Sequence, residues 1–436
     1  MNTKQVFNNA KWIVGCKIAQ SIIQLIIGMI SARYLGPSNY GLINYAASIL
    51  AFALPIMRLG FNATLVHEFV ESPKKEGQIL GTSLLLNILS SIVCILGVTT
   101  FVSIVNADEK TTILVCVLYS FSLIFSALEM IQYWFQYKLK SKYSSIVMLA
   151  AYVFVSLYKI FLLVTGKSVY WFALVNCFDY GIIAVSLLII YFRIGKTRLS
   201  FSFSLAKAML SKSKHYMLSG LMVVVFQTTD HIMLLNMIDE KENGYYTAAI
   251  TSAGVVQFVY TAIIDSYRPL ILSNKKENNE NYARNVSSLY SIVLYLTLAQ
   301  SVAFFILAKP IIQVLYGADY MASVPVLRIL IWYLMFSFMG VIRNVWILAE
   351  QKQKYLWIIN LSGAAFNVVL NYILIPYYGA GGAAFASFVT QFFTNFVLGF
   401  IMKPIRENNK LLLKGINPKF AFKEAKSIFK YIFKRG

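Results

Sequence analysis

Apolar runs of twenty or so residues follow one another from Trp12 to Met402, separated by short polar connections. The hydrocarbon core of a bilayer asks for about 20 such residues of helix, and no other feature constrains this chain as strongly. Twelve runs are expected to span, at 12–32, 41–62, 79–105, 111–134, 144–165, 169–192, 214–237, 244–268, 286–308, 321–348, 355–375 and 380–402. In lipid each backbone N–H and C=O must be satisfied within its own segment, so these runs are expected to be helices. Of 436 residues 58% are hydrophobic and 13% charged, about half the charge of a soluble domain. The four cysteines, Cys16, Cys94, Cys116 and Cys177, lie scattered in apolar runs without CxxC or Cys/His spacing. They read as small packing residues, and neither a disulfide framework nor a metal site is expected.

Charge orients the expected spans. Of the 39 Lys and Arg, twenty-nine fall in the even-numbered connections and at the two ends. The odd-numbered connections carry only Arg33, Lys110, Lys167, Lys241 and Lys309. This positive-inside bias predicts that both termini are cytoplasmic. It also accounts for the net charge of +21 as a basic face against membrane lipids, and no aromatic-basic module points to nucleic acid. The segment 403–436 is basic, with Phe420, Ala425, Ile428, Phe429, Ile432 and Phe433 at helical spacing. It reads as an amphipathic cytoplasmic tail lying on the inner leaflet.

The chain also repeats itself. WFQYKLKSKY at 134–143 returns as WILAEQKQKY at 346–355, so that Trp134, Lys140, Lys142 and Tyr143 recur as Trp346, Lys352, Lys354 and Tyr355. LVTGKSVYWFA at 163–173 is answered by PYYGAGGAAFA at 376–386, which places Gly166 on Gly379. NYGLINYAASI at 39–49 is answered by NGYYTAAITS at 243–252, which places Gly41 on Gly244. Three echoes in one order, at nearly one shift, indicate a duplicated unit of half the chain. The expected organisation is a six-helix lobe at 1–205, a second at 206–402, and the tail at 403–436.

Five cations and four acids fall inside the expected spans: Lys17, Arg58, Lys159, Arg328 and Arg343, with Glu129, Asp179, Asp230 and Asp265. Each costs about 2.5–3.5 kcal/mol at a helix centre, so they should face protein or water rather than lipid. Arg58, Glu129, Asp265 and Arg343 lie near span ends, where a long side chain can also snorkel. Gln20 and Gln24 share a helical stripe with Lys17, and Asn367 shares one with Asn360, Gly363 and Asn371. Such stripes serve either interhelical packing or the wall of an aqueous cavity. Asp230 beside His231, with Asp179 and Asp265, forms a candidate ion-coupling set, because carboxylates and imidazole are the groups that exchange protons near neutrality. The alternative is that these acids simply neutralise the cations. No GxxxxGK[ST] nucleotide loop occurs, so ATP use by this chain, or any other cofactor, is not expected.

ARYLGPSNYGLINYAAS at 32–48 and LGFNATLVHE at 59–68 resemble the opening of the Wzx-type polysaccharide repeat-unit flippases. YGADYMASVPVLRIL at 316–330 and YYGAGGAAFAS at 377–387 resemble the second half of the same proteins. These belong to the multidrug/oligosaccharidyl-lipid/polysaccharide (MOP) exporter superfamily. The resemblance implies an all-α membrane protein with 12 transmembrane helices in two pseudo-symmetric six-helix lobes around a central cavity. It implies translocation of undecaprenyl-diphosphate-linked oligosaccharide across the bacterial cytoplasmic membrane, for O-antigen or capsule, by alternating access. Lys17, Arg58, Lys159 and Arg343, with Arg328 nearer the external side, would then be a cationic lining for the diphosphate, since Arg pairs bidentately and Lys acts as a point charge. Gln20, Gln24 and Asn367 would be its polar lining. The expected form is a monomer, with the polysaccharide polymerase and chain-length regulator as further partners. One alternative is a cation-coupled multidrug antiporter of the same fold. Another is a membrane enzyme of polysaccharide assembly, a polymerase or an acyltransferase. Against the enzyme, the external connections are short, and His231 beside Asp230 has no nucleophile pattern around it.

Overall fold

The computed structural model describes residues 3–195, 197–276 and 281–424, and the side chains of most of them. Among the described residues there is no strand. Helices follow one another through turns of a few residues. Two compact units result, Met1–Gly244 and Tyr245–Gly436.

The first unit begins with α1 (Thr3–Met57), which is helical on either side of Gly36 but not at it (φ 70°, ψ 172°). Its apolar part, Ile22–Met57, has 36 residues, about 54 Å if straight and far more than the ~30 Å hydrocarbon core. The break is thus where two expected segments meet, and glycine is the residue that takes this conformation without steric cost. There follow α2 (Phe61–Glu71), α3 (Glu76–Val105), α4 (Lys110–Ser120), α5 (Ser122–Leu128) and, after one 3-10 turn, α6 (Gln132–Tyr137). Then come α7 (Ser141–Val164), α8 (Val169–Ile194) and α9 (Phe203–Met237), with α10 (Glu240–Ala253) starting in this unit. One core cluster gathers Tyr45, Met57, Val102, Val115 and Leu123. A second gathers Phe61, Phe69, Met130, Trp134, Phe135 and Tyr191. On α3 the opposite face is apolar yet uncovered, with Val93 67% and Ile104 73% exposed. Water would not tolerate such a face over a whole helix, but a bilayer would.

The second unit holds α11 (Gln257–Lys276), α12 (Asn281–Leu315), α13 (Ser323–Ala349), α14 (Leu356–Phe392), α15 (Leu398–Ile401) and α16 (Arg406–Ile416). Gly379 (φ 51°, ψ −132°) breaks α14 as Gly36 breaks α1. The described part of the tail, as far as Glu424, packs against α12. Ser291 Oγ donates to the Gly415 carbonyl (2.6 Å), Tyr295 Oη to that of Ile416 (2.7 Å), and Tyr290 Oη to Asn408 Oδ1 (3.0 Å). Arg284 and Ser288 hold the buried Glu424 carboxylate at 2.9 and 3.0 Å. The buried face of α16 carries Asn408 and Asn409, and these amides need hydrogen-bonding partners that lipid does not offer. Ala425, Ile428, Phe429, Ile432 and Phe433 lie outside the described residues.

One of the sequence echoes has the same backbone in each unit. Trp134 and Trp346 are both 2% exposed, and both helices that carry them end in the same cap. Leu139 (φ 54°) and Gln351 (φ 55°) are left-handed. Lys140 N–H reaches back to the Phe135 carbonyl (2.8 Å) as Lys352 N–H does to Ile347 (2.9 Å). Leu139 N–H donates to Gln136 (3.1 Å) as Gln351 N–H does to Leu348 (3.2 Å). This is the pair of bonds of a Schellman motif, made here without glycine.

Among the described residues, nine helices are long and apolar enough to cross a membrane, or ten if the bent pair Phe203–Val225 and Thr228–Met237 (52°) is one span.

Candidate functional site

Arg58 is turned into the first unit by a tight reversal. Leu59 (φ 51°) and Gly60 (φ 74°) are both left-handed, and Phe61 N–H returns to the Arg58 carbonyl at 2.8 Å. A Cβ on Gly60 would stand 2.4 Å from the Ser213 carbonyl oxygen of α9, so only glycine permits this approach. The guanidinium then reaches the 3-10 turn Glu129–Ile131. Its Nη2 lies 3.4 Å from Glu129 Oε2 and 3.5 Å from Ser126 Oγ, and its Nε is buried without a hydrogen-bond partner.

Lys159 on α7 and Asp179 on α8 form a second pair of opposite charge within electrostatic reach of each other. Asp179 is also felt by Glu129, and its Oδ1 is buried without a hydrogen-bond partner. Tyr133 and Tyr180 lie within reach of Arg58 and Glu129, and Tyr152 within reach of Asp179. Two cations and two acids are thus set in one apolar bundle, Arg58 paired with Glu129 and Lys159 in electrostatic reach of Asp179, with hydrogen-bonding capacity left over on Arg58 and Asp179. An arrangement of this kind is neutral when empty and can exchange a carboxylate for another anion without stranding a charge.

The remaining residues singled out in the sequence are placed as follows. Arg343 on α13 is 3% exposed and donates from Nη1 to the Thr394 carbonyl (2.8 Å). That carbonyl belongs to a π-helical turn, Phe393–Val397, whose wider winding releases acceptors from the α-helical ladder. Arg343 Nε is buried without a hydrogen-bond partner. Arg328 is exposed, with Nε on the Phe305 carbonyl (3.3 Å) and its guanidinium over the Phe305 ring (5.4 Å). Asn367 is buried, donating to Ser387 Oγ (3.4 Å) and accepting from Asn371 (3.1 Å). It ties the two halves of α14 together across the Gly379 break.

Asp230 is buried, and His231 Nδ1 lies 2.7 Å from Asn243 Oδ1. Asp265 is exposed and paired with Arg268 one turn on (3.0 Å). Gln20 is half-buried and Gln24 exposed. Lys17 lies outside the residues whose side chains are described.

Glu129 and Asn243 were not singled out as site residues in the sequence, nor were Ser126, Tyr133, Tyr152 and Tyr180. Glu129 had a signal, as an acid in an apolar run. Asn243 had none, being one polar residue in a polar connection. On α2, His67, Glu68 and Glu71 bring ligand atoms within 4.8 Å of one another. Lys212 Nζ already occupies both carboxylates, at 2.9 and 3.2 Å.

A family model described as polysaccharide biosynthesis protein matches residues 6–275. The chain belongs to that family. No curated protein matches its sequence. Among solved structures, the lipid II flippase MurJ in an inward closed conformation superposes with a TM-score of 0.73 at 16% identity, over 97% of this chain and 98% of that one. An inward-facing multidrug resistance MATE transporter of the MOP superfamily gives 0.68 at 14% identity, over 91% and 96%. The Vibrio cholerae MATE transporter VcmN in its bent form gives 0.55 at 14%, over 94% and 100%. At such identities the likeness concerns the fold. This polysaccharide biosynthesis family member has the all-α membrane fold of the MOP transporters, and its neighbours in structure are transporters rather than enzymes.

Proposed function

We propose that the protein is a flippase that carries undecaprenyl-diphosphate-linked oligosaccharide repeat units across the bacterial cytoplasmic membrane. In this reading twelve spans form two lobes, 1–205 and 206–402, with both termini cytoplasmic, and the protein works as a monomer that hands its cargo to a polymerase and chain-length regulator. The family supports a role in polysaccharide assembly, and the shared fold supports transport. The observation that supports the mechanism is the Arg58–Glu129 ion pair, with Lys159 and Asp179 in electrostatic reach of each other in the same bundle.

A diphosphate cannot enter hydrocarbon without losing its hydration, and cations in low dielectric replace that hydration most effectively. Arg58 and Lys159 would release Glu129 and Asp179 to take the phosphates. The freed carboxylates would then take up protons, which links the cargo to the proton gradient. Lys17, Arg343 and Arg328, with Gln20, Gln24 and Asn367, complete the proposed lining. Asp230 and Asp265 are further candidates for coupling.

Complementation of a flippase-deficient strain with a defined repeat unit tests this. Wild type is expected to restore surface polymer, and neutral variants of Lys17, Arg58, Lys159 and Arg343 to lose it at normal protein levels. Full polymer in the fourfold variant would end the cationic-lining account. A multidrug antiporter, the second reading, should instead confer drug resistance and leave polymer unrestored.

A further inference from the structure

Among the described residues, no carboxylate answers Arg343. The acids of the second unit are engaged elsewhere: Asp265 with Arg268, Glu350 with Lys275, Glu407 with Lys352 and Glu424 with Arg284. Asp319 is exposed, past the far end of α12. Tyr290 lies within electrostatic reach of the guanidinium, but its Oη donates to Asn408 Oδ1 (3.0 Å), so it is a neutral phenol. An arginine at 3% exposure remains a cation. Buried without a counter-charge, it is strongly destabilising.

What lies around it is a set of uncommitted donors. A Cβ on Gly340, about one turn before Arg343, would stand 2.4 Å from Asn395 Oδ1, so α13 packs directly on the π-helical turn. The guanidinium meets the Thr394 carbonyl there with Nη1 (2.8 Å) and leaves Nε buried without a partner. The hydroxyls of Thr394 and of Thr390, about one turn earlier, are buried and unpartnered as well. So is Nδ2 of Asn408 on α16, the residue whose oxygen accepts from Tyr290. Arg343 Nε and an amide nitrogen can only donate, and a hydroxyl can do so. One positive charge and several free donors call for an acceptor that carries negative charge.

We propose that Arg343 holds a small inorganic anion of single charge, of the chloride class, as a resident counter-ion, with Asn408 and the two threonines around it. One negative charge neutralises the guanidinium without excess. Phosphate would bring more charge, and more acceptor oxygens, than these donors can meet. Because one donor belongs to α16, the anion also fastens the tail to the bundle. Its binding to the protein without cargo does not depend on the flippase reading.

Melting of the purified full-length protein in matched salts tests the site. Wild type should melt about 5 °C higher in sodium chloride than in sodium gluconate of equal ionic strength, gluconate being too large to bury. Asn408→Asp keeps the acceptor for Tyr290 and adds a carboxylate to the cluster, so it should melt alike in both salts, at or above wild type in gluconate. Arg343→Met removes the charge and should lose the difference too; if it does not fold, Asn408→Asp decides. Crystals grown in bromide should show the anomalous signal of bromine beside Arg343. Equal melting of wild type in the two salts, a chloride effect that survives in Asn408→Asp, or bromide bound only elsewhere would each overturn the proposal. Stabilisation by added anionic phospholipid and not by chloride would assign the guanidinium to a lipid headgroup, and would overturn it as well.

Discussion

Arg58 and Glu129 illustrate what a buried ion pair contributes and what it does not. At 26% and 11% side-chain exposure both have given up most of their hydration, and their mutual attraction returns only part of it. Removing one partner leaves the other stranded. Glu129→Ala is therefore expected to cost about 3 kcal/mol, read as a lower unfolding temperature in detergent. Replacing both by Met should recover most of that loss, because packed apolar residues suit such a site as well as ions do. The double variant then separates two roles for Arg58. If the guanidinium serves only its partner, export recovers with stability; if it holds phosphate, stability returns and export does not. That these residues matter was legible in the sequence, since nine charges in apolar runs demand an explanation. Their partners were not. Nothing in the order of residues says that position 58 meets position 129, or that Arg343 ends on the carbonyl of Thr394 rather than on an acid.

At the scale of elements, one echo of the repeat can be followed into the backbone. The Trp–basic–Tyr echo marks two copies of one helix cap, each with a left-handed residue and the same two return bonds. Neither copy uses glycine, which costs about 1–2 kcal/mol at such a position. Gln351 is exposed, so its side chain contributes little packing in return. Gln351→Gly is expected to raise stability by up to about 1 kcal/mol, offset in part by the greater freedom of glycine in the unfolded chain. A parallel Gln351→Ala, which keeps the strain, should be neutral; equal effects from Gly and Ala would show that the left-handed backbone is not the cause. The docking of α16 could not be read ahead, because an amphipathic pattern states only that one face is buried. Whether lipid or α12 covers that face depends on Tyr290, Ser291 and Tyr295, more than a hundred residues earlier in the chain.

For the whole molecule, the count of crossings turns on the two glycine breaks. From Leu356 to Tyr378 the first half of α14 has the length, about 35 Å, to cross a hydrocarbon core of about 30 Å, and so does the helix from Ala380 to Ile401, at about 33 Å. If Gly379 sits where the chain turns back at the membrane surface, Lys354 and Lys403 lie on one side of the membrane and Tyr378 on the other. The same reasoning at Gly36 sets Arg33 apart from Lys74. Single cysteines at these five positions, with the four native cysteines replaced, report the side through a thiol reagent that cannot cross the membrane. Lys74, Lys354 and Lys403 are expected to react from the cytoplasmic side, and Arg33 and Tyr378 from the outside. An even number of crossings between Lys74 and Lys354 also places the two copies of the helix cap on the same face, as a duplication without inversion requires. Labelling of Lys354 and Lys403 from opposite sides would mean that α14 and α15 together cross only once. The total would then be odd, the termini would part company, and the basic tail could no longer share a face with the basic turns that the positive-inside bias groups with it.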